Sequence, residues 1–196
     1  MSAVILICGS NFCAIAGDTR LTGYKDNNSY IENNKFHKVF QLNKNVIYGV
    51  TGYFNEEDGI NPFKDEYITD KNYFIENAIL EIQKFRKRCE KLPPQTFLLA
   101  GKSKNGSFAA GVLAFTNGER ECKPDLAVPI GGQYWLRFSI PNIKIEAAQD
   151  IIQHKIEKTM PFPSLNVLTS HMKNTIKQIS RMDNTVNSNN DILNIV

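Results

Sequence analysis

The order of short apolar runs in the first fifty residues constrains this chain most. Ala3–Cys8 and Phe12–Ala16 flank Gly9-Ser10-Asn11, and Lys38–Leu42 and Val46–Thr51 flank Asn43-Lys44-Asn45. Runs of this length around turn-forming residues predict two β-hairpins, and so four strands before any helix. Leu21 to His37, rich in Asn and Asp, is expected to form a long polar hairpin between them.

A helical period first appears over Asn72–Glu90, with Ile75, Ala78, Ile79, Ile82, Phe85 and Cys89 on one face. Asp70 is its expected N-cap and Pro93-Pro94 its stop. Strands are expected again at Thr96–Gly101, Ser107–Phe115 and Ala127–Ile130, the last leading into Gly131-Gly132. The region between Gly131 and Asp183 reads as helical. Ile145, Ala148, Ile152 and Ile156 form one amphipathic pattern; Leu168, Met172, Ile176 and Ile179 form another, capped by Ser164 after Met160-Pro161-Phe162-Pro163. Asp191–Val196 reads as a closing strand. This order is not the strand-helix alternation of a parallel doubly wound sheet.

A chain of 196 residues is expected to make one domain, spanning 1–196. Its net charge of +3 comes from scattered lysines and arginines, so no nucleic-acid partner is expected. The densest cluster, Lys84-Phe85-Arg86-Lys87-Arg88, reads as a solvated helix face. Cys8, Cys13, Cys89 and Cys122 lack the spacing of a zinc or redox motif and are expected to be reduced, mostly buried thiols. His37, His154 and His171 have no spaced partners, and neither Gly-x-Gly-x-x-Gly nor a Walker lysine is present, so no metal and no organic cofactor are expected. No stretch approaches membrane-spanning length and Ala3–Cys8 lacks a basic leader, so a cytoplasmic protein without membrane contact is expected.

Ser2 stands directly behind Met1, Gly17-Asp18-Thr19-Arg20 closes the second strand, and Lys38-Val39-Phe40-Gln41-Leu42 precedes Val46-Ile47-Tyr48-Gly49-Val50-Thr51-Gly52. In order and spacing these residues resemble the amino-terminal half of proteasome β-type subunits and the HslV peptidase, N-terminal-nucleophile hydrolases; the match weakens beyond about Phe115. The resemblance implies an α+β fold, a four-layer αββα sandwich of two stacked antiparallel sheets. It also implies a threonine-type peptidase, here with serine, that cleaves peptide bonds in peptides or proteins once Met1 is removed. Ser2 is then nucleophile and, through its α-amine, general base. Lys38 tunes that amine, Asp18 anchors Lys38, and the Gly52 N–H serves the oxyanion. Arg20 is a supporting residue. So are Gly131, in a glycine-rich turn like the family's, and Asp183, in Arg181-Met182-Asp183-Asn184-Thr185-Val186-Asn187-Ser188 where the family has Arg-Asp-x-x-Ser-Gly. Val50 and Tyr53 are the expected lining of an apolar pocket for the substrate side chain.

Singly, each residue has an ordinary explanation: Ser2 permits methionine removal, Asp18 ends a strand, Lys38 is solvated and Gly52 makes a turn. The function alternatives are a catalytically inactive structural β-type subunit or binding module of the same fold, and a small-molecule amidase. The family's stacked rings imply ring partners, here a homo-oligomer. The chain ends at Val196 without the longer extension usual in that family, and its region after Gly131 is enlarged. Packing different from a standard ring is therefore expected, with Trp135, Phe138 and Phe162 supplying apolar helix-face contacts.

Overall fold

The computed structural model describes residues 2–25, 28–52, 62–63, 69–90, 92–140, 146, 149–151, 153–154 and 164–196. Among the described residues the chain opens with six strands: β1 Val4–Gly9, β2 Cys13–Asp18, β3 Leu21–Lys25, β4 Asn28–Asn33, β5 Val39–Gln41 and β6 Val46–Gly52. Helix α1 (Ile75–Arg88) leads into β7 Gln95–Lys102, β8 Phe108–Phe115, β9 Asp125–Ala127 and β10 Tyr134–Ser139. Helix α2 (Leu165–Met182) and β11 (Asn190–Ile195) follow. The polar insert is the separate hairpin β3-β4.

The two main sheets, both antiparallel, are ordered β10-β1-β2-β11 and β5-β6-β7-β8-β9. Side chains alternate across β1 because successive residues point to opposite faces of a strand. Ala3, Ile5 and Ile7 join Leu168, Met172, Ile176 and Ile179 of α2. Val4, Leu6 and Cys8 instead join Ile47, Leu98 and Ala100 of the other sheet. Both faces are covered, and that is why Val4–Gly9 is one continuous buried run. The outer face of the five-stranded sheet takes Ile75, Ala78, Ile79 and Ile82 of α1. A Cβ at Gly49 would stand 2.7 Å from Val4 Cγ1 and 2.9 Å from Ile15 Cδ1, so a side chain there would force the sheets apart.

Three expectations need correction. Tyr134–Ser139 is not helical: it is a strand paired with β1 from Gly9↔Tyr134 to Val4↔Ser139. Tyr134, Leu136 and Phe138 pack toward α2 while Trp135 packs between the sheets, so Trp135 and Phe138 are core contacts and not helix-face contacts; Phe162 lies outside the described residues. Second, Arg86 is not solvated. It is 0 % exposed, donates to the carbonyls of Glu119 (3.0 Å) and Thr116 (3.4 Å) and to Gln95 Oε1 (3.2 Å), and lies 5.0 Å over the Phe115 ring. Third, Asp70 is not the cap of α1. Phe74 is, its N–H donating to Asn77 Oδ1, while Asp70 accepts from the Asn72 N–H one turn earlier. Ser164 does precede α2, without a side-chain capping bond. Ile145, Ala148, Ile152 and Ile156, the residues of the first expected helical pattern, lie outside the described residues.

Candidate active site

Antiparallel pairing gathers the ends of several strands at one end of the sandwich. Ser2 and Ala3 precede β1; Asp18 ends β2, Lys38 precedes β5, and Gly52 ends β6. Asp18 is completely buried, and its Oδ1 accepts from Lys38 Nζ at 2.8 Å and from the Ala3 N–H at 2.7 Å. Its Oδ2 accepts from the Arg20 N–H at 2.9 Å. One carboxylate therefore ties together the residue after Ser2, the lysine of the facing sheet and the strand end that bears Arg20. Val50 N–H donates to the Lys38 carbonyl at 2.9 Å, which joins the Gly52 end of β6 to the same cluster.

The Lys38 side chain has no solvent exposure. Burial pushes its pKa below the ordinary lysine value; the charge and hydrogen bond of Asp18 oppose that shift and Arg20 adds to it. Replacing a buried ion pair with apolar side chains is often neutral or stabilising, so general stability does not account for a lysine placed here. What the pair provides is a cation held at a defined point beside the start of β1.

Gly52 has φ +108, and a Cβ there would fall 2.3 Å from the Pro94 carbonyl oxygen. Conformation and space both demand glycine at this strand end. Val50 is fully buried in the α1 core cluster, while Tyr53 lies outside the described residues. Ser2 is 7 % exposed in a chain that carries Met1.

The segment after α2 closes over the site. Arg20 donates from Nε to Asn34 Oδ1 (2.9 Å) and from its guanidinium to the Asn184 carbonyl. Asp183 Oδ1 accepts from the N–H (2.8 Å) and hydroxyl (2.6 Å) of Thr185; its Oδ2 is buried without a hydrogen-bond partner among the described residues. Val186 is 1 % exposed. Asn187 accepts from the Thr19 N–H at 3.0 Å and donates to the Asn34 carbonyl at 3.3 Å. A side-chain amide thus takes up the backbone groups that this loop brings together.

Gly131 is not at this site. It precedes β10, whose first residue pairs with Gly9, so Gly131 lies at the far end of β1 from Ser2. A cavity of about 460 Å³ at that far end is lined by Ser10, Asn11, Phe12, Gln133, Ser164 and Leu165 among others. The residue that β10 brings to the site end is Ser139, paired with Val4 and hydrogen-bonded through its hydroxyl to Thr51 Oγ1 of the facing sheet at 2.6 Å. Sequence reasoning missed Ser139. The signal was the alternation of Trp135, Arg137 and Ser139 against Tyr134, Leu136 and Phe138.

Two packed antiparallel sheets with helices on them, and several strand ends gathered at one end, make this an α+β sandwich. Among solved structures, the chain is similar to eukaryotic HslV from Trypanosoma brucei, with a TM-score of 0.58, 10% sequence identity and 98% of each chain covered. At that identity the likeness is one of fold. No family model matches the sequence. No curated protein matches it either.

Proposed function

We propose that this chain is a single-domain hydrolase of proteasome β type, built as a four-layer αββα sandwich, which cleaves peptide bonds in peptide or protein substrates. The observation that carries this reading is the double engagement of Asp18 Oδ1 by Lys38 Nζ and the Ala3 N–H. It fixes a buried cation next to the residue that becomes the amino terminus when Met1 is removed. An α-amine with a pKa of roughly 8 is brought toward neutrality by such a cation, leaving more free base to accept the proton of its own hydroxyl. The Ser2 oxygen then attacks the substrate carbonyl, the Gly52 N–H donates to the oxyanion, and the amine leaving group takes the proton held on Ser2. Water releases the acyl group by the reverse sequence. Asp183, with one buried oxygen lacking a partner among the described residues, is the supporting carboxylate. The setting is a cytoplasmic homo-oligomeric ring.

A second reading, the inactive structural subunit of the same fold, is favoured by Arg181-Met182-Asp183-Asn184-Thr185-Val186-Asn187-Ser188, in which the serine and glycine of the resembled motif are displaced. Two measurements separate the readings. Intact mass shows whether Met1 has been removed, and a fluorogenic peptide assay compares the mature chain with Ser2→Ala. The enzyme reading expects a mass without Met1 and turnover that falls to background in the variant. Retention of Met1, or equal rates for both proteins, defeats it. Cleavage of small amides but not of longer peptides moves the assignment to an amidase.

A further inference from the structure

Cys8 and Cys13 face each other across the first hairpin, the last ladder pair before the turn. Gly9 N–H donates to the Phe12 carbonyl just outside this pair, and Asp18 N–H to the Ala3 carbonyl at the other end of the ladder. That pattern makes Cys8↔Cys13 a non-hydrogen-bonded pair, the kind in which opposed Cα atoms approach to about 4.5 Å. Such a separation lies within the span a disulfide bridges. The two Sγ atoms are 3.2 Å apart. Both thiols are free and wholly buried in the inter-sheet core, beside Ala100, Phe108 and Ala110.

We propose that Cys8 and Cys13 are a covalent modification site, an intrachain dithiol that a small hydroperoxide converts to a disulfide. Ser10 and Asn11 of the turn are exposed, so opening one ladder pair at the hairpin tip admits hydrogen peroxide to the sulfurs, while a bulky oxidant remains shut out. Cys8 sulfur attacks the peroxide, giving a sulfenic acid and one water. Cys13 sulfur then attacks the Cys8 sulfur, the sulfenic hydroxyl leaves as a second water, and both thiol protons end in the waters. The peroxide is reduced by the two electrons that the thiols lose. Burial holds the Cys13 thiol well above its ordinary pKa, which disfavours Cys13 as the sulfur that attacks the peroxide first.

The test uses the full-length protein. Folded protein is treated with hydrogen peroxide, denatured, alkylated with iodoacetamide and digested with trypsin. Arg20 is the first cleavage point, so both cysteines lie in one peptide. The expected product is that peptide two hydrogens lighter and unalkylated at either cysteine, returning to double alkylation when dithiothreitol precedes the alkylation. Alkylation of both cysteines in the peroxide-treated sample, or a sulfinic acid on one with the other alkylated, overturns the proposal. In Cys13→Ser the expected species is a Cys8 sulfenic acid trapped by dimedone. A variant that does not fold leaves the wild-type measurement decisive.

Discussion

Thr51 and Ser139 join the two sheets at the site end of the sandwich through a hydroxyl-to-hydroxyl hydrogen bond of 2.6 Å. Thr51 belongs to β6 of one sheet and Ser139 to β10 of the other. The bond therefore crosses the gap between the sheets, as the Lys38–Asp18 pair does. Thr51→Val keeps the shape and removes the partner of Ser139. A loss of about 1 kcal/mol in urea unfolding is expected, with peptide turnover falling further than the lost stability explains. Unchanged stability and turnover would show that the bond has no part in holding the site.

Asp18 and Lys38 are predicted to be strongly coupled. Lys38→Met or Asp18→Asn alone leaves a buried charge or its donors uncompensated, at a cost of about 3–5 kcal/mol. The double variant should cost clearly less than the two singles together, as read from a denaturant double-mutant cycle. Simple additivity would mean that the 2.8 Å contact carries no coupling.

The depressed Lys38 pKa has a definite sign in stability. Between its native value and the ordinary 10.5 the unfolded chain binds the proton and the native state does not, so this group's contribution to stability rises with pH across that window. Below the native value both states are protonated and the contribution stays at its lower level. The stability difference between wild type and Lys38→Met should therefore shift in favour of wild type from neutral to alkaline pH. A pH-independent difference in urea unfolding would contradict the depressed pKa.

Gly52→Ala places a Cβ 2.3 Å from the Pro94 carbonyl oxygen on a residue with φ +108. The backbone must move, at a cost of about 1–3 kcal/mol. Because the moving N–H is the proposed oxyanion donor, turnover should fall by about 10²-fold or more even where the protein stays folded. Circular dichroism melting together with peptide hydrolysis separates the two effects, and wild-type kinetics in a destabilised variant would remove Gly52 from the site.

Arg86→Met removes three hydrogen bonds, those to the Glu119 and Thr116 carbonyls and to Gln95 Oε1. A destabilisation of about 3 kcal/mol is expected by urea unfolding. A change below about 0.5 kcal/mol would mark Arg86 as the solvated residue its neighbours suggest.

The opening hairpin, the polar insert, α1, α2, the closing strand and the order Ser2, Asp18, Lys38, Gly52 were legible in the chain itself. Their signals are local: turn residues between short apolar runs, a helical period, and spacings counted along one strand. Tyr134–Ser139 was not read as a strand, because the segment is short and Trp135 stands on the side that Arg137 and Ser139 would otherwise make polar, which weakens its alternation. Only pairing with β1 makes it a strand, and that pairing is what brings Ser139 to the site end and leaves Gly131 at the other. Arg86 follows the same logic: its run of basic neighbours looks solvated until Gln95, Thr116 and Glu119 converge on its guanidinium. The sequence by itself determined the local elements and the chemical types available. The tertiary structure alone decided which of them meet, since register and burial depend on partners distant in the chain.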